Sequence, residues 1–99
     1  MEHKVEIGGK EYVFKRATLG LEIEVEELKE GLIEALKVMR DPGGKEKIRD
    51  LWQKVVALVI VDPDEAVADA LSVTQGEMID LFLSFREAAQ TFNVKPTNG

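Results

Sequence analysis

T-Q-G-E-M-I-D-L-F-L-S-F-R-E-A-A-Q-T-F, residues Thr74 to Phe92, contains three of the four phenylalanines of the chain. Its first residue, Thr74, is followed three positions later by Glu77, the pairing that satisfies the first backbone N–H groups of a helix. Apolar residues then recur at steps of three and four, which places them on one helix side: Met78, Leu81, Phe82, Phe85, Ala89 and Phe92. Since burying an aromatic side chain contributes about 1.5–3 kcal/mol, we predict a helix over 74–92 onto which the remaining chain packs.

Two short alternating segments near the N-terminus predict a β-hairpin over residues 4–15. K-V-E-I at 4–7 and E-Y-V-F-K at 11–15 alternate apolar with polar residues, as strands with one buried face do. Gly8-Gly9 between them tolerates the positive φ angles of a tight turn. Because a lone hairpin is marginal in water, we expect it to lie against helices or to pair its free edge with another chain.

A helix over 19–40 is expected to follow the hairpin, with Thr18 as its N-cap. Its apolar residues recur at three to four positions: Leu21, Val25, Leu28, Leu32, Leu36 and Met39. Residues 19–25 also alternate strictly between apolar residues and glycine or glutamate, so a third strand is the alternative interpretation of this part.

Two more helices are expected before residue 74. D-P-G-G at 41–44 ends the first helix, and the next, over 45–61, has a broad apolar face, although its β-branched run at 55–61 is also compatible with a buried strand. D-P-D-E at 62–65 is a helix start signal and predicts a short helix over 63–71. We therefore expect residues 1–93 to form one α+β domain, an N-terminal β-hairpin followed by a bundle of three to four α-helices, and residues 94–99 to form a flexible tail.

Composition argues against several classes of function. The net charge of −6 disfavours nucleic acid binding, and no apolar run approaches the ~20 residues that cross a membrane. The chain has no cysteine, and its single histidine, His3, lies near a terminus, so neither a Cys nucleophile nor a His-based catalytic pair is expected. The glycines at 43–44 and the acids at 62–65 lack the flanking residues of phosphate and calcium loops. We predict a protein that is not an enzyme and has no cofactor and no metal.

Acidic residues are concentrated in the first long helix. Six glutamates lie between positions 22 and 34 against one base, Lys29. Such a run is ordinarily a solvated face, and the alternative is an acidic surface for a basic partner. Three of these glutamates and four apolar residues beside them are the candidate partner-binding residues: Leu21, Glu24, Val25, Glu27, Leu28, Glu30 and Leu32. We also expect the apolar faces of the two long helices to exceed what one core covers, so that the chain self-associates.

The order of these features resembles a known family. V-E-I-G-G-K-E-Y-V-F-K-R-A-T-L-G-L-E-I-E, residues 5–24, is similar to the N-terminal region of tail assembly chaperones of tailed bacteriophages, which open with an I-G-G-K-x-Y hairpin and an L-T-L-G step into an acidic helix. A Trp-bearing helix ending in V-A-L-V-I and the segment L-S-V-T-Q-G-E-M-I-D-L, residues 71–81, match later parts of the pattern. The resemblance covers about residues 4–93.

Membership of this family implies a function without catalytic residues. The protein would bind the tape measure protein, recruit tail tube subunits to it in the cytoplasm of the bacterial host, and be absent from the finished virion. Two other hypotheses remain open: a structural tail-completion or connector component that stays in the particle, and a small acidic inhibitor or regulatory protein.

Overall fold

The computed structural model of the chain describes residues 3–93, and describes the side chains of residues 3–91. The predicted tail at 94–99 and the side chain of Phe92 lie outside this described part. Two strands, four α-helices and one 3-10 turn follow one another along it: β1 (Lys4–Ile7), β2 (Lys10–Val13), α1 (Leu19–Lys37), α2 (Gly44–Val59), α3 (Glu65–Ala68), the turn Ala70–Ser72, and α4 (Gln75–Asn93). The prediction of an α+β fold, a hairpin followed by a helical bundle, is confirmed.

The hairpin is antiparallel, and its turn consists of Gly8 and Gly9, whose φ angles are +62° and +83°. Such positive values suit glycine because other residues place a Cβ atom against the backbone there. The alternation sorts the side chains by face. The buried face consists of Val5, Ile7, Tyr12 and Phe14, whereas Lys4, Glu6 and Glu11 are exposed on the other face.

The outer edge of β2 is covered at its C-terminal end by the chain that leaves α2. Phe14 forms an isolated antiparallel bridge with Ile60, the N–H of Lys15 donates to the Val59 carbonyl at 2.7 Å, and the N–H of Val61 donates to the Val13 carbonyl at 2.9 Å. The chain becomes extended at Ile60, where α2 has ended. The segment that pairs with the hairpin is therefore 59–61, and the alternative of a third strand at 19–25 is wrong because α1 begins at Leu19.

The bounds of all four helices differ from the sequence prediction, those of α4 by one residue at each end. α1 ends at Lys37 rather than at residue 40, and α2 spans 44–59 rather than 45–61. The helix expected over 63–71 is instead a single turn, α3, followed by the 3-10 turn. Asp69 separates the two, because its backbone is extended and its carboxylate accepts a hydrogen bond from the N–H of Leu71 at 3.0 Å. An Asp side chain that bonds the backbone in this way competes with helix continuation.

α4 joins the hairpin to α2 through two aromatic contacts. The rings of Phe85 and Phe14 meet edge to face with centroids 5.6 Å apart, and those of Phe82 and Trp52 do so at 6.2 Å. Trp52 and Leu81 are fully buried. The core thus lies between the inner face of the hairpin, α1, α2 and α4, which leaves the outer side of the α1–α2 pair facing outward.

Candidate interaction surface

α1 and α2 lie side by side and run in opposite directions. Gly31 of α1 faces Leu51 of α2, since a Cβ atom added to the glycine would lie in van der Waals contact with the leucine methyl carbons, at 3.7 Å. Nearer the start of α1, Leu28 lines the same groove as Leu58, close to the end of α2. Glu24 and Glu27 precede Leu28 and Gly31 by four residues each, so they border the same side of the helix pair.

The seven candidate partner-binding residues fall into two groups. Val25 and Leu32 are only 4% and 2% exposed, so they belong to the core and cannot contact a partner unless the bundle opens. Helical periodicity assigned them to the apolar side of α1, but α2 and α4 cover that part of it. The other five keep accessible surface: Leu21 and Leu28 are half-buried, and Glu24, Glu27 and Glu30 are exposed.

Glu24, Glu27 and Leu28 border a shallow groove between α1 and α2, which we call the α1–α2 groove, whereas Leu21 and Glu30 do not line it. It has a volume of about 660 Å³, and its lining consists of Glu24, Glu27, Leu28, Lys54, Ala57 and Leu58. The leucines and the alanine form an apolar floor, and the charged side chains form the rim. The sequence analysis did not identify the three α2 residues, Lys54, Ala57 and Leu58, as part of this surface. Leu51 and Leu58, seven residues apart, were the available signal that this helix has a second apolar side.

The rim of the groove carries negative charge that the chain does not neutralise. Elsewhere on α1, Lys29 pairs with Glu26 at 3.1 Å and Lys37 pairs with Glu34 at 3.2 Å. Within residues 3–93, none of the glutamates at positions 24, 27 and 30 forms an ion pair. Lys54 is the cation on the groove's rim, so two carboxylates and one ammonium border the apolar floor.

A second cavity, of about 580 Å³, lies at the other end of the helix pair. The turn after α1, the start of α2, the 3-10 turn and the start of α4 surround it. Its apolar lining includes Leu36, Met39, Ile48, Leu71 and Met78. Leu71 is 60% exposed at this site. This cavity was also missed from sequence, because its walls come from four separate elements.

Apolar side chains are exposed elsewhere on the helices as well. On α1 they are Leu19, Ile23 and Ile33, and on α4 they are Ile79 and Leu83. Exposed apolar residues are ordinary when they are scattered singly. Self-association of the chain therefore stays a prediction.

The strongest pKa shifts lie at the contact between the hairpin and α3. The Tyr12 hydroxyl donates to the Asp64 carboxylate at 2.8 Å, Lys10 donates to its other oxygen, and the Val67 N–H donates at 3.3 Å. Burial and the bond to Asp64 raise the pKa of Tyr12 to about 12, and the bonds from Lys10 and Tyr12 lower that of Asp64 to about 2. At neutral pH the tyrosine is thus protonated and the aspartate ionised, and the cluster fastens the hairpin to the N-terminus of α3.

Within residues 3–93, no three histidine, aspartate or glutamate side chains lie close enough together to hold a metal ion. None of the helices of this part of the chain is both long and apolar enough to span a membrane. Comparison of the chain with protein-family models, with curated proteins and with solved structures found no match.

Proposed function

We propose that this chain is a non-catalytic tail assembly chaperone of a tailed phage or prophage. It binds the tape measure protein and recruits tail tube subunits to it in the cytoplasm of the bacterial host. The observation that carries this proposal is the α1–α2 groove, an apolar strip bordered by Glu24 and Glu27 on the outside of the bundle. The resemblance of residues 5–24 and 71–81 to the chaperone family supports the same function.

A long helical partner suits this groove for a physical reason. An amphipathic helix binds a groove by placing its apolar side on the floor, and anchors at steps of three and four reach successive contacts. Leu28, Ala57 and Leu58 offer such a floor. The carboxylates on the rim attract lysine or arginine beside the apolar anchors of the partner and repel acidic helices. We therefore infer that the occupant is a helix of the tape measure protein with basic residues next to its apolar stripe.

Several copies of the chaperone are expected to act on one partner. A tape measure protein is a very long helical chain, whereas the groove holds only a short helical segment. Covering the partner therefore takes repeated copies, and contacts between neighbouring copies raise the effective affinity of each. Self-association is accordingly part of the proposed function.

Substitutions on the groove floor test the proposal. Leu28→Asp and Leu58→Asp place a carboxylate on the apolar floor and should abolish co-purification with the long helical protein encoded by the neighbouring gene. Leu71→Asp makes the same chemical change at the second cavity and should leave co-purification intact. Circular dichroism would establish that all three variants are folded. Full binding by both groove variants would contradict the proposal.

The composition of purified particles separates this function from that of a structural tail component. A chaperone leaves before the tail is complete, so mass spectrometry of the particles should detect tail tube protein without this chain. Stoichiometric amounts of the chain in the particles would favour the structural component instead.

A further inference from the structure

One edge of the hairpin has unused backbone hydrogen-bonding groups. The N–H of Phe14 donates to the carbonyl of His3 at 2.8 Å, which makes these residues a hydrogen-bonded pair. Because hydrogen-bonded and non-hydrogen-bonded pairs alternate in an antiparallel ladder, Val5 also bonds β2, whereas the N–H and C=O groups of Lys4 and Glu6 point away from it. Within residues 3–93, no backbone group pairs with these outward groups.

The side chains at the same two positions carry opposite charges. Lys4 and Glu6 are exposed on the outer face of the hairpin. Lys4 forms an ion pair with Glu11 at 3.4 Å, while Glu6 lies directly opposite that same Glu11 in the strand register. Like charges directly opposite one another destabilise a sheet. Glu6 forms no ion pair with any described residue, so its own chain leaves it facing another carboxylate.

We propose that β1 pairs antiparallel with β1 of a second copy of this chain, about a two-fold axis that passes between the two Val5 residues. The result is a continuous four-stranded sheet in the order β2–β1–β1–β2. Its central pairing uses the N–H and C=O groups of Lys4 and Glu6 from both copies. Each Glu6 then lies opposite Lys4 of the other copy, which supplies the cation that it lacks within its own chain.

The charges select this register over its neighbours. Only even-numbered positions of β1 present outward backbone groups, so a symmetric pairing must be centred on residue 4, 5 or 6. Centring on Lys4 places the two Lys4 side chains opposite each other, and centring on Glu6 does the same with the two glutamates. Centring on Val5 produces two Lys4–Glu6 pairs and no repulsion between like charges across the new interface. Charge complementarity therefore identifies a second copy of this chain as the occupant of the edge.

This interface does not depend on what occupies the α1–α2 groove. The edge lies on the hairpin, and the groove lies between two helices. Leu28→Asp should therefore abolish binding of the helical partner and leave the chain able to dimerise. Binding at the groove and pairing at β1 can therefore fail separately.

Charge reversal on β1 tests the register. Sedimentation of the wild-type chain should show a monomer that converts to a dimer as the concentration rises. Lys4→Glu and Glu6→Lys each replace two attractive pairs with two repulsive ones, so each should weaken dimerisation on the order of tenfold or more. An equimolar mixture of these two variants should dimerise again, because one strand then carries two acids and the other two bases. The double variant with both reversals should dimerise as the wild type does.

A proline on the edge tests the backbone pairing. Glu6→Pro removes an outward N–H that the hairpin itself does not use, a position at which edge strands tolerate proline. This variant should stay folded by circular dichroism and remain monomeric at every concentration. Glu65→Lys, an equal change of charge to Glu6→Lys but on α3, should dimerise normally. A wild-type chain that is monomeric up to millimolar concentration would overturn the proposal. A dimer whose affinity is unchanged by both charge reversals and by Glu6→Pro would overturn it as well.

Discussion

The indole nitrogen of Trp52 donates a hydrogen bond of 2.6 Å to the backbone carbonyl of Val67, and both residues are fully buried. The bond joins α2 to α3, a single helical turn that is too short to be stable alone. It also satisfies the one polar atom of the largest side chain in the core. Among the described residues, no buried side-chain nitrogen or oxygen atom lacks a hydrogen-bond partner.

Trp52→Phe should lower the free energy of unfolding by about 2–4 kcal/mol. The carbonyl of Val67 loses its donor, which costs about 1–3 kcal/mol, and the smaller ring leaves a cavity that adds to this loss. Urea denaturation followed by circular dichroism measures the change. Gln53→Ala alters the neighbouring but exposed position and should shift the free energy by less than about 0.5 kcal/mol. Equal stability of Trp52→Phe and the wild type would show that the bond contributes nothing.

Two glycine substitutions should change stability in opposite directions. A Cβ atom at Gly44 would lie 2.6 Å from the carbonyl oxygen of Val38 and 2.8 Å from that of Met39, and backbone atoms cannot yield as a side chain can. Gly44→Ala should therefore cost about 1–3 kcal/mol. Gly31→Ala meets only Leu51 at an ordinary distance of 3.7 Å and should stabilise the helix by up to about 1 kcal/mol. Thermal melts of the two variants test both signs at once.

Removing the Tyr12–Asp64 contact should flatten the pH dependence of stability at both extremes. The folded pKa of Asp64, about 2, lies below its ordinary value of 3.8, so its stabilisation is present above about pH 4 and is lost as the pH falls towards 2. The folded pKa of Tyr12, about 12, lies above its ordinary value of 10, so its stabilisation is present below pH 10 and is lost as the pH rises towards 12.

Denaturation measured across the pH range separates the two contributions. Asp64→Asn keeps a capping side chain but removes the titrating group. Its free energy of unfolding should therefore fall less steeply at acid pH than that of the wild type. Some acid dependence should remain, because hydrogen bonds from the backbone N–H groups of Thr74 and Gly8 also hold the pKa of Glu77 below its ordinary value. The free energy of unfolding of Tyr12→Phe should fall less steeply at alkaline pH than that of the wild type. A pH dependence of stability that is the same in both variants as in the wild type would contradict the role assigned to the contact.

Loss of Glu77 should destabilise the protein more than loss of Thr74. The Thr74 hydroxyl accepts from the N–H of Glu77 at 3.0 Å, and the carboxylate of Glu77 accepts from the N–H of Thr74 at 2.9 Å. Thr74→Ala should cost about 1 kcal/mol, as the loss of a helix cap usually does. Glu77→Ala also removes the bond to the hairpin turn at Gly8, so it should cost more. Chemical denaturation of the single and double variants provides the comparison.

Reversing the charge of the free glutamates on α1 should weaken partner binding and leave the fold intact. The triple variant Glu24→Lys, Glu27→Lys, Glu30→Lys changes three exposed carboxylates without ion pairs in the described part of the chain, so little stability depends on them. Its affinity for the helical partner should fall by about tenfold or more at low salt. Isothermal titration calorimetry at two ionic strengths would measure this.

A control variant with the same change of net charge places the reversals elsewhere. Glu65, Asp80 and Glu87 are exposed and lie outside the groove, so replacing these three residues with lysine should preserve binding. If both triple variants bind as the wild type does, the acidic surface has no part in recognition.

Local patterns were sufficient to predict the hairpin and α4. The turn glycines, the strict alternation around them and the pairing of Thr74 with Glu77 each depend on residues a few positions apart. The elements at 59–72 were harder to predict. Extension of the chain at Ile60 depends on pairing with distant β2, and the break at Asp69 is a bond between a side chain and its neighbouring backbone where apolar spacing indicated a helix.

The surface residues could be predicted only in part. Periodicity places Val25, Leu28 and Leu32 on one side of α1, but whether each is buried depends on where α2 and α4 lie against that side. Leu28 remains partly accessible, whereas the other two are in the core. Leu58 and Lys54 belong to the groove only because α2 folds back antiparallel to α1, an arrangement that no local pattern contains.

The pairing of Phe14 with Ile60 has a consequence for how large an assembly the sheet can build. Because residues 59–61 already pair with the C-terminal end of β2, only β1 of the two strands offers its whole edge. The hairpin therefore resembles what a polymer chemist calls a monofunctional unit, which ends a growing chain because it has a single reactive group. Addition at β1 would consume that group in one step. Growth of a fibril along the whole edge of β2 would first require residues 59–61 to detach from it.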